Sequence, residues 1–171
     1  KWIFNTNSGL LNSWLYALGF TPVEWLTSSK YSMLSVIIMS VWKSLGNNIV
    51  IMLAGLQGVP SSLYEAASMD TNSSWKKFRH ITIPLVSPTI FLICIMSIIS
   101  AFQVFEQVMT LTEGGPGDST LTVVYHIYNQ AFENFKMGYA SALAYILFLI
   151  ILVVTIIQWN VKKHWVYSEM E

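Results

Sequence analysis

Lys43, Ser44 and Asn47 follow one another at i, i+1 and i+4 in "VWKSLGNNIV", and further along Ser97, Ser100, Gln103 and Gln107 recur at helical spacing. These side chains donate and accept hydrogen bonds, but no nucleophile, general base and orienting group can be named among them as a set, so bond-making chemistry has little support. Both groups lie in or beside strongly apolar runs. A charged or amide side chain at such depth is costly and faces a cavity or another helix rather than lipid. Together the residues can line a polar path for a hydroxyl-rich solute. The same residue types also bond helix to helix inside bundles, and the pattern alone leaves both roles open.

A second chemistry-bearing stretch, "SSLYEAASMDTNSSWKKFRHITIPLVSP", concentrates charge between two apolar runs. Pro60 stops the preceding helix, and Ser62 with Glu65 has the spacing of a capping box, which predicts a helix from about Leu63 to Asp70. Leu63, Ala66, Ala67 and Asp70 then share one face whose centre is two methyl groups, narrow enough for close approach by a partner. Glu65 and Asp70 are placed to pair with basic groups, although Glu65 also suits a plain cap. Thr71 and Asn72 predict a turn, since Asn tolerates the left-handed backbone that ends helices. Trp75 and Phe78 mark a second amphipathic stretch, and Pro84 and Pro88 are expected at the start of the next membrane helix.

The elements that must position these groups follow from composition. Hydrophobic residues make up 54% of the chain and charged residues 11%, against a charged share of about 25% in soluble domains. The fold expected is all-α, a polytopic transmembrane bundle with spans at residues 33–56, 84–105 and 138–160. Lys76, Lys77 and Arg79 lie between the first two spans, and Lys162 and Lys163 follow the third. By the positive-inside rule the loop 57–83 and the tail 161–171 are then cytoplasmic, while residues 1–32 and 106–137 are external. In the second of these external segments Glu106, Glu113, Asp118 and Glu133 outnumber Lys136.

Several classes are excluded. Basic and acidic residues balance, so no field collects nucleic acid. The lone Cys94 forms no intrachain disulfide and reads as a small hydrophobe. His80, His126 and His164 are too scattered for a metal motif. "TEGGPGDST", residues 112–120, is a turn-rich loop, not a phosphate loop, because no Lys-Ser/Thr pair follows its glycines. "KWIFNTNSGLLN" lacks signal-peptide regions, and an odd number of spans with an external start suggests a piece of a longer chain.

"EAASMD", Phe78, "ITIP" and Pro88 together resemble the cytoplasmic EAA loop of permease subunits in binding-protein-dependent ABC importers. "AGLQGVPSSLYEAA", "LTEGGPGDST" and "GYASALAYILFLI" are similar to the sugar-uptake branch, of maltose and glycerol-phosphate type. The likeness runs over nearly the whole chain, with Thr71-Asn72 where the family usually has Gly-Ala. It implies the C-terminal half of a type I importer permease in the bacterial cytoplasmic membrane. Glu65, Ala66, Ala67, Asp70 and Thr71 would form the coupling helix that docks on ABC ATPase subunits. Lys43, Ser44, Asn47, Ser97, Ser100 and Gln103 would line the sugar path. The resemblance implies no cofactor on this chain, ATP and Mg being held by the ATPases. It also implies a second permease subunit, an external solute-binding protein, membrane lipid and a sugar as partners. An ion-gradient transporter would have no need of such a docking loop. An intramembrane enzyme built on Glu106, His126 or Asp118 would need those groups within the bilayer, where the topology does not put them.

Overall fold

A computed structural model describes residues 1–162, the side chain of Asp70 excepted. Lys163, His164 and the rest of the tail 163–171 lie outside the described residues. Those residues form helices joined by short turns, with no strand among them. After a 3-10 turn at Trp2–Phe4 come α1 (Leu10–Ala17), α2 (Ser32–Gln57), α3 (Ser61–Asp70) and α4 (Ser74–Phe102). Then follow α5 (Glu106–Leu111), α6 (Val123–Tyr128, continued by a π turn at Asn129–Glu133) and α7 (Met137–Lys162). Helices α2, α4 and α7 are long and apolar enough to cross a membrane. Their outer side chains are exposed and apolar, as along α7, where Tyr145, Ile146, Phe148, Leu149, Val153 and Ile157 point away from the rest of the protein.

Two differences from the sequence expectation concern helix ends. The second long helix does not begin at Pro84: it starts at Ser74 and carries Pro84 and Pro88 inside it. A π turn at Phe78–Thr82 precedes Pro84, widening the helix just ahead of the missing N–H. Pro88 cannot donate to the Pro84 carbonyl one turn back; the Ser87 hydroxyl does so instead, at 2.6 Å. That helix also stops at Phe102, short of residue 105, and the segment expected as a loop from 106 contains α5 and α6.

The chain divides into two compact units, Lys1–Lys43 with Ser100–Leu149, and Ser44–Ile99 with the described residues from Ile150 on. The first has a core of Val36, Val108, Leu111 and Tyr125, covered by Leu26, Val104, Phe105 and Leu121. Burial and the nearby carboxylates Glu133 and Glu113 push the Tyr125 hydroxyl above its ordinary value. Around this core, Asn12 and Thr120 find their hydrogen bonds within the unit. Asn12, 5% exposed, donates to the carbonyls of Thr6 and Val23, both at 2.8 Å, and accepts from Val23 N–H at 3.0 Å and Trp25 Nε1 at 2.9 Å. Thr120, fully buried, donates to the Gly115 carbonyl at 2.8 Å and meets the Thr112 hydroxyl at 2.7 Å. Ser32 Oγ meets Ser119 Oγ at 2.8 Å, which ties the start of α2 to the 112–120 loop. Gly114, at φ +83°, takes a backbone conformation that L residues seldom adopt, and it lies against the Tyr125 ring.

The second unit packs helix against helix. A methyl group at Gly55 would overlap the Thr89 side chain, so α2 and α4 touch there backbone to side chain. Asn48 Nδ2 reaches Ser97 Oγ at 3.5 Å, which with the Gly55 contact fixes an antiparallel register of α2 and α4. Buried Phe91 and exposed Trp159 join α4 to α7 with ring centres 6.2 Å apart, and Lys162 Nζ lies 5.0 Å from the Trp159 ring centre.

Candidate functional site: the α3 arm and the polar strip

Helix α3 differs in two respects from the capped helix that the sequence suggested. It starts at Ser61 with Pro60 as N-cap, and no side chain caps it. Glu65 therefore sits past the first turn, out of reach of a capping box, and Pro60 has no N–H for it to bond; its side chain is exposed. Nor does Asn72 adopt a left-handed backbone. The helix runs out through Thr71 in an extended conformation (φ −154°, ψ 138°), and the Thr71 hydroxyl accepts from Ser73 N–H at 3.2 Å. An extended residue with its own hydroxyl acceptor makes the turn without glycine.

Ala66 is exposed and Ala67 half-buried; the side chain of Asp70 lies outside the described residues. Leu63 is exposed on the same helix and Met69 is 91% exposed, so α3 presents apolar groups that nothing among the described residues covers. Yet the helix is firmly held. Tyr64 Oη meets Thr82 Oγ1 at 2.8 Å, and Lys77 Nζ donates to Ser68 Oγ at 2.7 Å, both linking α3 to the first turns of α4. Three residues, Gly58 to Pro60, separate it from α2, and three, Thr71 to Ser73, from α4. The combination is an exposed helix face on a short arm that is hydrogen-bonded to the first turns of α4. Neither tether was read from the sequence; Tyr64 and Thr82 look like ordinary interfacial residues until the π turn brings Thr82 inward.

The polar residues along α2 and α4 are only partly brought together. Lys43, Ser44 and Asn47 are exposed on consecutive turns of α2, and Ser100 and Gln103 are exposed at the end of α4. Ser97, half-buried, takes a hydrogen bond from Asn48, a contact of the kind that joins helix to helix. Lys43 has a partner that the spacing did not suggest: its ammonium pairs with the carboxylate of Glu106, the first residue of α5. Hydrogen bonding from Lys43, and then its charge, hold the Glu106 carboxyl below the ordinary carboxylate value. A lysine within an apolar run calls for a counter-charge, and Glu106 is the first carboxylate after the second apolar run; that need is the signal that points to it.

Three long apolar helices, a tethered exposed arm and polar groups set along two of those helices define a helical membrane transport component. The chain matches the family "Binding-protein-dependent transport system inner membrane component" over residues 3–165 and belongs to it. It is 39% identical over 151 residues to the arabinooligosaccharides transport system permease protein of Bacillus subtilis, covering 88% of this chain and 48% of the relative. It is 36% identical over 160 residues to the lactose transport system permease protein of Rhizobium radiobacter, covering 91% and 54%. The fold also matches a chain in the crystal structure of a bacterial ABC transporter involved in the import of the acidic polysaccharide alginate. That match has a TM-score of 0.83 at 22% identity and covers 95% of this chain and 57% of the other. The chain thus spans about half the length of the curated relatives it matches.

Proposed function

We propose that this chain is the C-terminal half of a permease subunit that imports a sugar or related polyhydroxylated solute through the bacterial cytoplasmic membrane, driven by ATPase subunits on other chains. The observation that carries the reading is the α3 arm: an exposed face around Ala66, with Leu63 and Met69 uncovered, held to α4 by Tyr64–Thr82 and Lys77–Ser68. A permease without an ATP site of its own needs a rigid element that a partner can push. The sugar class is supported by the names of the relatives, which include transport permeases for arabinooligosaccharides, lactose and sulfoquinovosyl glycerol.

On this reading Glu65, Ala66, Ala67, Asp70 and Thr71 meet the ATPase, and Lys43, Ser44, Asn47, Ser100 and Gln103 face the solute. Ser97 supports the path through Asn48. Residues 57–83 are cytoplasmic, residues 106–137 external toward a solute-binding protein, and a second permease subunit completes the pathway. Cross-linking tests it in the full-length complex. A cysteine at 66 or 67 is expected to join a groove cysteine of the ATPase, and Asn134→Cys to label with an impermeant thiol reagent from outside. Asn134 is the better labelling position, because Ser119 is bonded to Ser32. Labelling of Asn134→Cys only after membrane disruption, with no cross-link from either alanine position, overturns the reading.

A further inference from the structure

Glu106 lies outside the polar residues that spacing singled out, yet it meets the Lys43 ammonium within the first unit. Both side chains remain open, at 52% and 72% of their full exposure. Ser100 and Gln103, exposed in the same unit, add a hydroxyl and an amide. The chemistry of the pair is specific. An ammonium has three donors and an ionised carboxylate about four acceptor sites, so one contact between them leaves donors and acceptors side by side. Sugar hydroxyls, which donate and accept at once, match that arrangement. A solute carboxylate does not: it has no proton to give Glu106, and its attraction to Lys43 is cancelled by the charge already there.

We infer that Glu106 is a specificity-determining residue, whose negative charge neutralises Lys43 and selects uncharged polyhydroxylated solutes over carboxylated ones. Removing that charge leaves a bare ammonium, which attracts an acidic solute. Glu106→Asp keeps the charge and therefore the preference. Replacing both members, Lys43→Gln with Glu106→Gln, again gives a neutral strip.

This inference rests on the importer reading above, and its test keeps the two apart. The full-length subunit is assembled in lipid vesicles with its partner permease, ATPases and binding protein. Uptake is followed for a neutral trisaccharide that the binding protein holds and for the same trisaccharide with one terminal hydroxymethyl oxidised to a carboxylate. The binding protein is identical in every arm, so its own discrimination divides out of the comparison between variants. Glu106→Gln is expected to raise the acidic-to-neutral uptake ratio by about fivefold, the upper scale of one solvent-screened charge contact. Glu106→Asp and the double variant are expected to stay within about twofold of wild type, a difference of under half a kilocalorie. If Glu106→Gln, Glu106→Asp and the double variant lower both uptakes in equal proportion, Glu106 only holds α2 to α5 and the specificity assignment is wrong. If Glu106→Gln does not assemble, an unchanged ratio in Lys43→Gln, where the lone carboxylate is expected to lower it, overturns the assignment equally. Wild-type complex that hydrolyses ATP without taking up either solute overturns the importer reading itself.

Discussion

The stretch 103–136 and the shorter α3 arm both connect long helices, but they settle their surface groups in opposite ways. In the first, Val108, Leu111 and Tyr125 are buried together, Thr120 is fully enclosed, and the hydroxyls of Thr112, Thr120, Thr122 and Ser119 all have partners within the chain. In α3 no residue is classed as buried, and Leu63 and Met69 are open. The first segment has its stability built in. The second has rigid attachments and an uncovered face, which is what a surface completed by another protein requires. The difference assigns sensitivity: substitutions in the first segment cost folding, whereas those on α3 cost function while leaving the fold alone.

The sharpest way to break that contrast is Ala66→Trp. On the proposed docking, an indole at an exposed position costs this chain nothing but overpacks the interface by about 1–3 kcal/mol. The expected outcome is loss of solute-stimulated ATP hydrolysis, or release of the ATPase, with membrane insertion and melting temperature of the full-length subunit unchanged. Full coupled transport by this variant would place the docking face elsewhere.

Asn12→Ala is the converse experiment. It strands four partners in a nearly closed site, the N–H groups of Val23 and the Trp25 indole and the carbonyls of Thr6 and Val23. Desolvated groups left unpaired cost about 1–3 kcal/mol each where water cannot reach them, so a net loss of about 3 kcal/mol is expected. Thermal unfolding of the full-length subunit in detergent measures it. A loss below about 1 kcal/mol, at the level of a single ordinary hydrogen bond, would show that the network is not what holds the segment before α2.

Gly114→Ala has a smaller effect on the same segment. Its φ of +83° is strained for any L residue, and the new methyl would stand 2.9 Å from Tyr125 Cε1. A loss of about 1–2 kcal/mol is expected by the same unfolding measurement, with transport per folded complex retained. Loss of transport without loss of stability would mean that the loop acts in function directly.

These contrasts also mark what the sequence can and cannot convey. The three long helices were legible because an apolar run of about 20 residues has few other uses. The arm was legible through "EAASMD", an uncommon cluster between such runs. The continuation of α4 through Pro84 and Pro88 was not, since a proline's usual effect is local, whereas its rescue here depends on a π turn and the Ser87 hydroxyl. The pairing of Lys43 with Glu106 spans 63 positions and carries no periodic signal. Gly55 is another such case: its need for a hydrogen in place of a side chain is set by Thr89 on a different helix.

The smallest expected effect comes from Glu65→Ala, and it separates the two roles that the sequence left open. A capping glutamate lost from a helix start costs about 0.5–2 kcal/mol, because a backbone N–H loses its acceptor. In this structure Pro60 is the N-cap, it has no N–H to satisfy, and Glu65 lies beyond the first turn with an exposed side chain. Alanine is also the best helix former at such a site. The stability of the full-length subunit is therefore expected to change by less than about 0.5 kcal/mol, the range of ordinary surface substitutions. Affinity for the ATPase, where Glu65 would pair with a basic group at the groove's rim, is expected to fall by about threefold to tenfold, and less at high salt. A stability loss with unchanged ATPase affinity would return Glu65 to the role of a cap and leave the docking face to Ala66, Ala67 and their apolar neighbours.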